Sequence, residues 1–151
     1  MTADFGTLTF TRDITGTAER LFELMTRPEH RSVWSGPTET AKFVIKESDV
    51  RAGGYELATC GPDPQFDART DFHVVDAPTT LICTETIFVE GETICVSLAT
   101  QEITPHDDKV TLKVTVQVAS LCGPEMVSDY KDGWGTAIDK LANLASVPTP
   151  A

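Results

Sequence analysis

Apolar and polar residues alternate through most of the chain, and near each end the alternation gives way to steps of three and four. Leu8 and Phe10 face away from Thr7, Thr9 and Thr11, which predicts a strand over Phe5–Asp13. Ala18, Leu21, Phe22, Leu24 and Met25 then share one face of a helix that Thr15 or Thr17 can cap. Pro28 ends that helix and begins a second short one, Pro28–Ser32. Period two returns at Ala41, Phe43 and Ile45 within Thr40–Glu47, and a further strand begins at Tyr55. Ala68, Thr70, Phe72 and Val74 share a face opposite Arg69, Asp71 and His73. Leu81–Val89 is a strand without clean alternation. In Thr93–Ile103 the residues Ile94, Val96 and Leu98 face together. Val110, Leu112, Val114, Val116 and Val118 form the clearest strand.

The turns between these strands are short: Asp49–Gly54, Cys60–Pro64, Asp76–Thr79, Glu90–Glu92 and Pro105–Asp108. A Trp-containing turn, Val33–Pro37, follows the second helix. Past Gly123-Pro124, apolar residues fall at Val127, Tyr130, Trp134, Ala137/Ile138, Leu141 and Leu144/Ala145, the face of a long helix over Pro124–Ser146. Gly133 and Gly135 interrupt it, each costing about 1 kcal/mol against alanine, so something there needs the missing side chains. The order is therefore strand, two helices, about six strands and a long helix. Short connections make the strands an antiparallel meander, and the last helix is the long amphipathic element able to cover its apolar face. The expected class is α+β, a single domain over residues 1–151 with a flexible tail at 146–151.

Composition narrows the function. The 151 residues carry a net charge of −11, which argues against nucleic acid and anionic membranes. No apolar run approaches the roughly 18 residues of a membrane span. The first residues lack a basic segment followed by an apolar core, so a cytoplasmic protein is expected. The four cysteines, Cys60, Cys83, Cys95 and Cys122, form no C-x-x-C pair and read as small core or cavity-lining residues. No histidine pair has metal-ligand spacing, and no nucleophile elbow or phosphate loop occurs, so neither metal nor cofactor is expected.

Four local motifs, with this order of elements, resemble the SRPBCC (START-like, helix-grip) superfamily, and within it the family of activator-of-heat-shock-ATPase homologues. They are the early helix running into Pro28-Glu29-His30 and Trp34-Ser35-Gly36-Pro37, the D-x-R-x-G-G turn at Asp49–Gly54, the V-x-x-P-x-x-L turn at Val75–Leu81, and Gly133-Trp134 followed by Leu141. The resemblance implies a helix-grip fold, a curved sheet of six or seven strands around the last helix, with a cavity between them that often holds a hydrophobic molecule. It does not imply an activity, because relatives include carriers, cyclases and co-chaperone modules. Where relatives often carry aromatics after Leu81, this chain has Cys83 and Glu85, which would make the cavity roomier and more polar.

The candidate ligand-binding residues are Trp34, Phe72, Cys83, Glu85, Tyr130, Gly133 and Trp134. Trp34 either gates a cavity or plugs the core. Glu85 and Glu102 are the carboxylates to compare as acid or base, since a carboxylate in an apolar pocket has a raised pKa. The strand leaves open whether Glu85 faces inward with Cys83 and Ile87, or outward with Ile82, Thr84, Thr86 and Phe88 facing in. The expected function is binding of a small apolar ligand without chemistry. The alternatives are a cyclase- or lyase-like enzyme with Glu85 as acid or base and Tyr130 as hydrogen-bond donor, and a co-chaperone-type interaction module. A homodimer is left open.

Overall fold

The computed structural model describes residues 2–146; of the tail expected at 146–151, Ser146 ends the last helix and 147–151 lie outside the described residues. Seven strands form one antiparallel sheet in the order β1-β7-β6-β5-β4-β3-β2. They are β1 (Asp4–Thr15), β2 (Lys42–Ser48), β3 (Tyr55–Gly61), β4 (Phe66–Asp76), β5 (Thr80–Val89), β6 (Glu92–His106) and β7 (Lys109–Ser120). Helices α1 (Ala18–Thr26) and α2 (Pro28–Trp34) connect the two edge strands, and α3 (Glu125–Ser146) follows β7. Every consecutive pair from β2 to β7 is a neighbour, and β1 closes the order by pairing with β7, Leu8 opposite Val116 and Phe10 opposite Val114. This is the helix-grip architecture.

The caps follow the sequence. Thr17, not Thr15, caps α1, its Oγ1 accepting from the Arg20 amide at 3.2 Å. Pro28 opens α2 at its first turn, where a missing N–H costs nothing. That helix runs two residues beyond the expected Ser32, so Trp34 is its last residue and not part of a turn. The Asp49–Gly54 turn needs both glycines. Gly53 adopts φ +85°, and a Cβ on Gly54 would lie 2.0 Å from the Asp49 carbonyl oxygen.

The inner face of the sheet carries Leu8 and Phe10 from β1, alternate residues Val110 to Val118 from β7, and Ala68 and Phe72 from β4, all buried. The second half of α3 seals it with Ala137, Ile138, Leu141 and Ala145. Two alternations are shifted. The register of β4 against β5 slips between Phe72 and Val74, so Val74 leaves the face of Phe72 and is 38% exposed. In β6 the inward residues are Cys95, Ser97, Ala99, Gln101 and Ile103, while Val96 and Leu98 face outward. Ile94 has no partner between the pairs Ile87–Cys95 and Phe88–Thr93. A bulge of this kind turns the extra side chain toward its neighbour's face, and Ile94 packs against the core.

Candidate functional site

Between the sheet and the first half of α3 the packing opens into a cavity of about 310 Å³. Its walls are mostly apolar: Met25 from α1, Phe43 from β2, Phe72 from β4, Leu81 and Ile87 from β5, and Trp134 from α3. Gln65, Val89 and Asp129 line it as well and are exposed, which puts its mouth between the β3–β4 loop and the start of α3. All seven residues singled out in the sequence, Trp34, Phe72, Cys83, Glu85, Tyr130, Gly133 and Trp134, line this cavity. Glu102 does not; it is exposed and pairs across the sheet with Lys113.

A polar row runs across the inner face of the sheet, and its two middle members, Thr70 and Glu85, line the cavity. Glu56 of β3 lies opposite Thr70 of β4, Thr70 opposite Glu85 of β5, and Glu85 opposite Ser97 of β6. These residues share the inward register of four adjacent strands, so their side chains project to one side at the spacing of neighbouring strands. Each end of the row is tied to a helix. At the β6 end, the Tyr130 hydroxyl donates to Glu85 Oε1 at 2.5 Å and lies 2.7 Å from Ser97 Oγ. At the β3 end, Arg31 of α2 donates to Glu56, Nε to Oε1 at 3.3 Å and Nη2 to Oε2 at 2.8 Å. Arg31 Nη1 donates to Ser35 Oγ, and the guanidinium carbon lies 5.0 Å from the Trp34 ring centre and 5.4 Å from that of Phe43. Glu56 is only 1% exposed, so this ion pair is internal.

The electrostatics follow from burial with few charges. Desolvation pushes the Glu85 carboxyl above the ordinary carboxylate range, against the hydrogen bond from Tyr130 and the attraction of Arg31. Desolvation and then the Glu85 charge drive the Tyr130 phenol well above its usual value. Burial pushes the Cys83 thiol up to about 12, so Cys83 is an inert wall and not a nucleophile. For Arg31, burial favours the neutral form and Glu56 the charged one; Glu56 prevails and the pKa is raised.

The Glu85 shift has a stability consequence. A carboxyl with a raised folded-state pKa binds its proton more tightly folded than unfolded. The native state therefore loses stability as pH climbs from about 4.3, the unfolded value, through the folded value. Glu85→Gln removes that contribution. Urea midpoints should show the variant gaining on the original chain as pH rises from 4 to 8, with the gain absent below about pH 4.3. A difference that shrinks with rising pH would show that the buried carboxylate is stabilised when ionised.

Residues 15–146 match the family model described as activator of Hsp90 ATPase homolog 1-like protein. The chain belongs to this family. Solved structures agree on the fold. An uncharacterised protein from Rhizobium leguminosarum superposes with a TM-score of 0.84 at 19% identity, covering 95% of this chain and 96% of the other. A protein from Rhizobium loti gives 0.82 at 21% identity, covering 95% and 99%, and one from Chromobacterium violaceum 0.82 at 17%, covering 94% and 98%. No curated protein matches the sequence.

At Trp34 the structure decides between the two roles the sequence allows. Trp34 is no exposed gate: it is 3% exposed, and its Nε1 donates to the Leu24 carbonyl at 2.7 Å. Plug and wall are one role here, since the same ring packs in the core and lines the cavity. The two glycines of α3 meet different neighbours. A Cβ on Gly133 would lie 3.0 Å from Pro37 Cβ, so this glycine lets the helix sit against the loop after α2. A Cβ on Gly135 would meet Phe10 Cε1 at an ordinary 3.6 Å. Gly135→Ala is thus expected to stabilise the protein by about 0.5–1 kcal/mol, read as a higher urea midpoint at unchanged m-value. Gly133→Ala should lack that gain because Pro37 must move. Arg31, Glu56, Ser97 and Gln101 escaped the sequence reading. For Glu56 the signal was its phase with Ala58 and Cys60 in β3; for Arg31 it was its place one turn before Trp34.

Proposed function

We propose that the protein binds a small, largely apolar molecule in the cavity under α3. The observation that carries this reading is a pocket of about 310 Å³ with aromatic walls and a hydrogen-bonded polar pair on its lining, Tyr130–Glu85. Small-molecule sites combine these features, with volumes of about 300–1,000 Å³; this cavity is at the small end. Among the described residues all four cysteines are free, which suits a reducing compartment such as the cytoplasm. Native mass spectrometry of protein purified from its own host tests the reading. A co-purifying small molecule is the expected result. Absence of any adduct, with no thermal shift across a library of hydrophobic compounds, would sink it.

One contact favours a second reading, an enzyme of cyclase or lyase type. Glu85 sits inward beside Tyr130, a carboxyl with a raised pKa next to a phenol donor. A base of that kind can take a proton from a bound substrate while Tyr130 holds an oxygen. Turnover of a co-purifying molecule that stops in Glu85→Gln while binding persists would establish this reading over simple carriage.

A further inference from the structure

We infer that the cavity selects apolar molecules bearing a protonated amine and discriminates against apolar carboxylates, an inference that rests on the cavity binding a ligand at all. Arg31 is the one cation lining the cavity among the described residues. Its Nε and Nη2 are held by Glu56, its Nη1 by Ser35, and its ring neighbours Trp34 and Phe43 flank the guanidinium. Its charge is neutralised and three of its five N–H donors are taken, so a ligand carboxylate would have to compete with the Glu56 carboxylate for a buried ion pair. Lys140, further along α3, donates its ammonium to the Gly36 and Thr38 carbonyls at 2.9 and 2.6 Å.

The acceptor side is different. Glu85 Oε1 accepts from Tyr130, whereas Oε2 takes part in no hydrogen bond among the described residues. The charged and titratable groups around Glu85 are Arg31 on α2, Glu56 on β3, Cys83 on β5, Cys95 on β6, and Tyr130 and Asp129 on α3. With Arg31 and Glu56 cancelling, the balance is negative once Glu85 ionises. A ligand ammonium placed at Oε2 would make a charge-assisted hydrogen bond inside the cavity. Asp129 at the mouth and the overall charge of −11 favour the approach of a cation. Burial raises the pKa of the Glu85 carboxyl, so amine affinity should rise with pH through that titration and then level off until the amine itself deprotonates.

Three probes of one shape test this: 2-naphthylmethylamine, 2-naphthylmethanol and 2-naphthoate, titrated calorimetrically near neutral pH and low salt. The amine is expected to bind most tightly, and the naphthoate at least about tenfold more weakly, the effect of one charge-assisted hydrogen bond. In Glu85→Gln the amine should lose its advantage over the alcohol. Naphthoate binding as tightly as the amine would overturn the selectivity while leaving the cavity a ligand site. An amine preference that survives Glu85→Gln would overturn the assignment to that carboxylate. No heat and no thermal shift with all three probes would overturn both the selectivity and the binding function on which it rests.

Discussion

Glu56→Ala is expected to destabilise the protein by about 3–5 kcal/mol, the effect of breaking a buried ion pair by removing one partner. Glu56 is fully enclosed and Arg31 nearly so, with side-chain exposures of 1% and 13%. Removing the carboxylate leaves a largely buried guanidinium bonded to Ser35 alone. A loss this large is a substantial part of the stability of a typical domain, and a urea titration followed by circular dichroism would read it directly. The double variant Arg31→Met/Glu56→Leu should recover most of the loss, because apolar replacement of a buried pair is often neutral or better. If Glu56→Ala were nearly silent, the pair would be open to solvent and the neutralisation of Arg31, on which the cavity's preference depends, would be in doubt.

Trp34→Ala should be of similar size, about 3–5 kcal/mol, for a different reason. The ring fills the space between α1, α2 and the cavity, and its Nε1 satisfies the Leu24 carbonyl at the end of α1. Truncation removes apolar contact, leaves that carbonyl without its partner, and strips Arg31 of one aromatic face. It also joins the vacated volume to the cavity. The variant should therefore be less stable yet accept bulkier apolar probes than the original chain. Trp134 is then the remaining tryptophan, so fluorescence quenching on titration reports the cavity roof alone. A destabilised variant with unchanged probe-size limits would show that the side chain plugs the core without bounding the ligand space.

These two residues show how legible the site was. Trp34 was visible in the sequence as an aromatic near the mouth of the expected fold, but its depth was not, because α2 extends through it instead of ending at Ser32. Glu56 was passed over because a glutamate near a turn reads as solvated. Its burial depends on Arg31, 25 residues earlier, arriving on α2 to neutralise it. Glu85 lay between two registers of a strand without alternation, and pairing with Thr70 and Ser97, both inward, decides it.

What the sequence determined by itself was the list and order of elements, the Asp49–Gly54 turn, the cap class of α1 and the sealing face of α3. Each is set by neighbours a few residues away, through period, φ preference or a side-chain cap. What only the tertiary structure decided was which side of β6 and of the end of β4 faces inward. There a single bulged residue reverses the alternation, and apolar Val96 and Leu98 go outward while Ser97 and Gln101 go in. The role of Gly133 was settled the same way, by Pro37 almost a hundred residues away. So was the polar row itself, since four strands must align before Glu56, Thr70, Glu85 and Ser97 become neighbours. Local pattern specifies which residues can face a core; long-range register specifies which of them do, and the cavity is built from that second choice.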